Sequence, residues 1–245
     1  MSGVAVFLIA VGCADIVRRL TRPLWPAVVA GPVVAVLTAA LCGLWHLGDL
    51  LLVGIAVVAA AAWELSCTPA ERAGGRWQVA PLVLFGAALA TLIVLSGLGS
   101  AVAGPVGAWV DWAPVTGTDP SRIVLVAGVI LLQLVTGNQL VRLLLGSVGA
   151  VKPAGEPQPS DRLKGGRLLG PMERLLILGL SLAGQLAAAT AVVAAKSVIR
   201  FPEINAQKAR ENGGIGIDDV TEYFLVGSFA SWIVALGGLA LTGLG

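Results

Sequence analysis

Residues 123–145 read IVLVAGVILLQLVTGNQLVRLLL, a run of 23 residues with one ionisable side chain, Arg142, and no proline. At 1.5 Å per residue a helix of that length spans about 34 Å, enough to cross roughly 30 Å of bilayer hydrocarbon. Only a helix satisfies its own backbone polar groups there, so the stretch reads as a membrane-spanning helix. Working outward, six more segments approach or meet the same length, at 3–17, 24–47, 50–65, 79–98, 172–201 and 220–244. The first and third are short for a span, and the sixth in chain order is long enough to tilt or project. The fold expectation is an all-α, polytopic transmembrane helical bundle of about seven spans.

Composition agrees with that reading. Of 245 residues, 57% are hydrophobic and 12% charged, against about 25% charged in a soluble domain. Too little polar surface remains to cover a water-facing protein, which excludes a soluble globule, a disordered chain, collagen and a coiled coil. The net charge of +2 supplies no basic field for nucleic acid. Cys13, Cys42 and Cys67 lie in or beside apolar runs with no metal spacing, and His46 stands alone. No GxSxG elbow offers a nucleophile. The expectation is therefore no enzyme, no metal and no cofactor. Ala10-Val11-Gly12-Cys13 looks like a lipoprotein cleavage box, but nothing basic precedes Arg18, so the first segment is expected to be a retained span.

The connections carry an orientation signal. Arg18, Arg19 and Arg22 follow the first segment; Arg72 and Arg76 follow the third; Arg142, Lys152, Arg162, Lys164 and Arg167 surround the gap after the fifth. Segment 100–121 has no Lys or Arg. By the positive-inside rule the basic gaps face the cytoplasm, which puts the N-terminus outside and, with seven spans, the C-terminus inside. Lys208 and Arg210 fall on the wrong side in that arrangement. Trp25, Trp45, Trp63 and Trp77 sit at segment ends and Trp109 and Trp112 in the external segment, as headgroup anchors do, with Trp232 alone in mid-span.

Segment 151–170 is polar and rich in proline and glycine, and divides a five-span front part, 1–150, from a two-span hairpin, 171–245. Its basic end, Arg162, Lys164 and Arg167, suits anionic lipid as well as ordinary topology signalling. Between the parts, residues ending Val-Arg-x-Leu recur at 11–20 and 135–144, too little for an inverted repeat.

Polar side chains inside spans are expensive and are the candidate site residues. In the sixth segment Arg174, Ser181, Gln185, Lys196 and Arg200 share about a third of a continuous helix's circumference. Gly179, Ala183, Ala187, Ala191 and Ala195 recur every fourth position, spacing that lets backbones approach. A seventh span running antiparallel to the sixth would bring Glu222 near Lys196 and Arg200. That carboxylate either relays an ion or completes a capping box with Asp219 while neutralising Arg200. Gly227, Ser231 and Ala235 offer a second small-residue face toward a partner or another copy. In the fifth segment Gln133, Thr136, Gly137, Asn138 and Gln139 form a second polar centre, with Arg142 a turn later. Glycine beside asparagine invites a local helix break of the kind that coordinates ions, although interhelical hydrogen bonds explain the same residues. Asp15 is expected to pair with Arg18 or Arg19 along its own helix.

Gly170-Pro171-Met172-Glu173-Arg174-Leu175-Leu176-Ile177, Gln185, Ala194-Ala195-Lys196-Ser197-Val198-Ile199-Arg200-Phe201 and Glu222-Tyr223-Phe224-Leu225-Val226-Gly227 together resemble the C-terminal region of an uncharacterised family of prokaryotic integral membrane proteins, a domain of unknown function. The resemblance implies a shared core around Glu173, Arg174, Lys196, Arg200 and Glu222, and no activity. Members have a front part rich in His and Asp, which this chain lacks. Usage heavy in Ala, Gly, Val and Arg also looks like a GC-rich bacterium. Two functional readings follow: a small transporter or channel-like protein of the bacterial inner membrane, or a non-transporting scaffold or accessory subunit whose charges fix helix packing.

Overall fold

The computed structural model describes residues 1–21, 23–113, 118–151, 166–195, 198 and 217–245. Those residues form helices and connections with no strand. In chain order the helices are α1 (Ser2–Leu20), α2 (Trp25–Leu41), α3 (Leu47–Ala73), α4 (Val79–Val94), α5 (Gly104–Trp112), α6 (Pro120–Leu131), α7 (Gly137–Ser147), α8 (Gly166–Leu182), α9 (Leu186–Ala195) and α10 (Ile217–Gly243). Short 3-10 turns, Gly75–Gln78 and Leu95–Leu98, flank α4, and a π-helical turn, Leu132–Thr136, joins α6 to α7. Among the described residues, four stretches are long and apolar enough to cross a membrane: Leu47–Ala73, Gly75–Leu98, Pro120–Ser147 and Thr221–Gly243. α1 falls outside that group because Asp15, Arg18 and Arg19 interrupt it, and α2 because it has 17 residues.

α1 is the axis of the bundle. Every residue from Val4 to Leu8 is buried, with Ala10, Val11, Ala14 and Asp15 after them, and α2, α3 and α6 pack around it. A helix apolar on all sides belongs inside protein, whereas α2 turns Val29, Val33, Val36 and Leu37 outward. Such an outer face suits lipid as its solvent. Close approach depends on missing side chains. A Cβ on Gly12 would lie 2.9 Å from Leu131 Cβ, and one on Gly128 3.1 Å from Leu8 Cβ.

Several expectations are corrected. The third segment is not short: α3 runs 27 residues because polar Thr68, Glu71 and Arg72 continue the helix past the apolar run. Its start is fixed by a capping box in which Asp49 Oδ2 accepts from the His46 N–H at 3.2 Å. Asp49 also accepts from the Ser100 N–H at 2.7 Å and the Ser100 hydroxyl at 2.6 Å, tying the connection after α4 to the start of α3. Segment 100–121 contains α5, a helix its glycine- and proline-bearing sequence does not announce. α10 begins at Ile217, so Asp219 lies inside the helix and not at its cap.

The largest correction concerns the sixth segment, which is not one rod. Gly184 adopts φ +75°; its N–H donates to the Ser181 carbonyl at 3.0 Å and the Gln185 N–H to the Leu180 carbonyl at 2.8 Å. This is a Schellman ending, which glycine favours because it adopts the left-handed conformation without a Cβ penalty. After it α9 doubles back, so that Ala189 packs with Ile177 of α8 and Ala235 of α10. The expected stripe and small-residue ladder through residues 174–200 are broken at that turn.

The extra reversal changes the topology. At the far end of α10, a Cβ on Gly245 would lie 3.6 Å from Met1 Cβ, so the two chain ends share one side of the bundle, against the expectation of opposite sides. Gly227 of α10 lies against Leu145 near the end of α7, so α10 starts on the side where α7 ends. That is the side of the basic connections. Lys208 and Arg210, in the connection that leads into α10, lie outside the described residues.

Trp25, Trp45, Trp77, Trp109 and Trp112 are exposed near helix ends, as interfacial anchors are. Trp63 is the exception. It is fully buried with its ring centroid 5.3 Å from that of Phe85.

Replacing Gly12 by Val is expected to lower the stability of the detergent-solubilised chain by about 1–3 kcal/mol through overpacking. Gly86→Ala, at a helical position with nothing within 4 Å, is expected to be neutral or to gain up to about 1 kcal/mol. Thermal melting of the two variants checks the contrast, and equal effects would contradict the close α1–α6 contact.

Candidate functional site

Among the described residues, two polar clusters inside the bundle are built on an arginine. The first is built on the π turn. Within it the Gly137 N–H reaches back five residues to the Leu132 carbonyl, instead of four to that of Gln133. The Gln133 carbonyl thereby loses its ordinary donor, and in an apolar interior an unmet carbonyl costs about 1–3 kcal/mol. Arg174 of α8 supplies the replacement. Its Nε donates to that carbonyl at 3.1 Å and its Nη2 at 2.9 Å. Nη2 also donates to Asn138 Oδ1 at 2.6 Å, and Nη1 to the Ser231 hydroxyl of α10 at 3.1 Å.

Local sequence makes room for this guanidinium. A Cβ on Gly137 would stand 3.0 Å from Arg174 Nε, so the expected break at Gly137-Asn138 is realised as a widened turn with an arginine seated on it. Arg174 is 1% exposed. Glu173, next to it, accepts from the Trp232 indole N–H at 2.8 Å and places negative charge nearby. Gln133 is fully buried and donates to the Val234 carbonyl at 3.0 Å, its amide lying against Gly238. From the other flank, Arg19 Nη2 donates to the Val135 carbonyl at 2.9 Å. Two arginines thus cap the irregular backbone, and α8 and α10 are fastened to the front part through it.

The sequence-predicted residues do not converge on one site. Gln133, Asn138 and Arg174 meet, with Glu173 alongside. Gln139 points elsewhere, its amide donating to the Glu71 carboxylate of α3. Arg142, Gln185 and Glu222 are exposed. Lys196 and Arg200 lie outside the described residues, as do Arg162 and Lys164, and the side chain of Arg167 is likewise not described.

The second cluster joins α1 to α3 near their basic ends. Asp15 and Glu64 are fully buried, and Arg18 lies between them. Arg18 Nη2 donates to Asp15 Oδ1, and its Nε stands 3.3 Å from Glu64 Oε2. The Trp63 indole N–H donates to Asp15 Oδ1 at 3.3 Å. Asp15 therefore pairs with Arg18 as expected, but it also has a second acid and an indole from α3. On the outer side Arg18 lines a cleft of about 340 Å³ with Thr21, Pro23, Leu24, Thr68, Pro69 and Arg72. Sequence reading missed Glu64. The available signal was a carboxylate at the end of the apolar run 50–65, within a helix whose polar continuation hid how deep that residue sits.

Chemically the clusters differ. The first has one buried cation with four hydrogen bonds to three acceptors, an arrangement that holds helices together. The second has two acids for one cation beside a cleft, an arrangement able to take up positive charge. Among the described residues no group of three or more His, Cys, Asp or Glu side chains is placed to hold a metal.

Arg174→Leu is expected to destabilise the chain in detergent by about 2–3 kcal/mol, since it strands the Gln133 carbonyl and Asn138. Ser231→Ala should cost about 0.6–1 kcal/mol, the usual scale of one interhelical hydrogen bond in a membrane. Equilibrium unfolding of both variants checks the ranking; a neutral Arg174→Leu would contradict the clasp. In comparisons with known proteins, the chain matches no family model, no curated protein and no solved structure.

Proposed function

We propose that the chain is a small transporter or channel-like protein of the bacterial cytoplasmic membrane, handling an ion or small solute through the Asp15–Arg18–Glu64 cluster. The observation that carries this reading is the pair of fully buried carboxylates sharing one guanidinium at the foot of the Arg18–Arg72 cleft. Ionisable groups inside a membrane are costly, which makes such a pair a candidate ion site. The pathway is thereby moved from the fifth and sixth segments to α1 and α3. In this reading α1, α2, α8 and α9 join the four long helices in the bilayer. The basic connections and the cleft face the cytoplasm, and both chain ends face out. Anionic lipid meets the basic end of the linker. The family resemblance of the last third fits a membrane core fastened by Arg174.

A second reading is a scaffold or accessory subunit with structural charges only. It is favoured by the Arg174 cluster, in which four of the five guanidinium N–H donors meet protein acceptors.

Purified chain reconstituted in liposomes, loaded with pH-sensitive and alkali-cation-sensitive dyes, separates the two. Transport predicts flux of a proton or alkali cation above protein-free vesicles, reduced to that background by Glu64→Gln and retained in Gly86→Ala. Absence of flux for all of these ions would favour the scaffold.

A further inference from the structure

We propose that Asp15 and Glu64 together hold one proton, exchanged with the basic side of the bundle past Arg18, and that this proton is the ion used at the site. The coupling role rests on the transport reading; the proton site itself does not.

Charge gives the first argument. With both acids ionised the cluster carries two negative charges against the single guanidinium, and both carboxyls are fully buried. An uncompensated buried charge costs several kcal/mol even after relaxation, and a buried group escapes that cost by neutralising. One bound proton brings the cluster to zero.

Hydrogen bonding gives the second. Asp15 Oδ1 accepts from Arg18 and from Trp63. Asp15 Oδ2 and both oxygens of Glu64 are buried with no hydrogen-bond donor among the described residues. Both carboxyls contact the same guanidinium, Asp15 at Arg18 Nη2 and Glu64 at Arg18 Nε. A proton on either one turns one of these unmet acceptors into a donor. Two acids sharing a site in this way ionise in separate steps.

Surroundings favour a proton over a larger cation. Hard metal ions gather about six or more oxygen ligands, whereas here the pair is flanked by the Trp63 indole, itself packed on Phe85. Among the described residues, the charged or titratable groups facing the pair or the cleft beside it include Arg18 of α1 and Cys67, Glu71 and Arg72 of α3. The Glu71 carboxylate is engaged by Gln139. α2 and α4, packed against α1 and α3, carry no titratable side chain. α6 carries only Arg122, in its first turn and so at the opposite end of the bundle. Arg18, 17% exposed, touches both the cleft and the pair, so the route to solvent passes it. Uptake moves one proton from hydronium to a carboxylate oxygen, leaving water and a neutral carboxyl; release reverses it.

Infrared spectroscopy of the full-length chain in lipid, titrated with acid and base in light and heavy water, reads the proton directly. The expected result is the carbonyl stretch of a protonated carboxylic acid at neutral pH, shifting in heavy water. Asp15→Asn and Glu64→Gln each leave one acid with one guanidinium, and each is expected to abolish the band. Arg18→Gln leaves two buried acids with no cation and is expected to strengthen it, a gain that unfolding does not produce. A wild-type chain without the band at neutral pH, or a band that persists in either acid variant, would overturn the proposal. Flux in liposomes is scored separately. A band without flux keeps the proton site and removes transport, and flux without a band removes the proton site.

Discussion

The structure depends on how a bundle solvated mainly by lipid accommodates an unpaired backbone carbonyl. The π turn at Leu132–Thr136 diverts the Gly137 N–H from the Gln133 carbonyl to that of Leu132. No water-facing surface is available to that carbonyl, so a donor must come from another helix. Arg174 provides it, and in doing so brings its own charge inside. Neither group is stable there alone. The irregular backbone solvates the guanidinium and the guanidinium completes the backbone, with Asn138 and Ser231 accepting from two more of its donors. Because the partners come from α7, α8 and α10, the back part of the chain is seated on the front part at this point.

The second cluster shows the opposite balance. Arg18 faces two acids and Trp63 contributes one donor, leaving the site short of protons and positive charge. In a membrane interior a satisfied cluster and a short one differ in what they are able to do. The satisfied one has no reason to exchange anything with solvent. The short one lies next to a cleft and gains by taking up a cation. This contrast is the reason for proposing the activity in α1 and α3.

Much of the fold was legible from hydropathy, because helix length in a bilayer is set by its thickness. Segments 79–98, 123–145 and 220–244 correspond closely to Gly75–Leu98, Pro120–Ser147 and Thr221–Gly243. The rest was hidden for identifiable reasons. Apolar periodicity continues smoothly across Ala183-Gly184, so a reversal made by one left-handed glycine leaves almost no trace in composition. α3 was cut short because its last third carries Thr68, Glu71 and Arg72, which a hydropathy reading assigns to a connection. The polar centre at Gln133, Asn138 and Arg174 was visible as residue types, but its arrangement was not. The same side chains serve an open pathway or a closed clasp, and only the register of the π turn decides. Glu64 escaped notice because burial of a carboxylate depends on neighbours distant in sequence, here Asp15 and Trp63.

The central claim, that a guanidinium caps the carbonyl released by the π turn, is tested most directly by solid-state nuclear magnetic resonance of the chain in lipid bilayers. Selective labelling of the Arg174 side-chain nitrogens and the Gln133 carbonyl carbon should give a strong dipolar contact between them, with slow exchange of the guanidinium protons with water. A missing contact, with guanidinium protons exchanging as fast as those of an exposed arginine, would contradict the account.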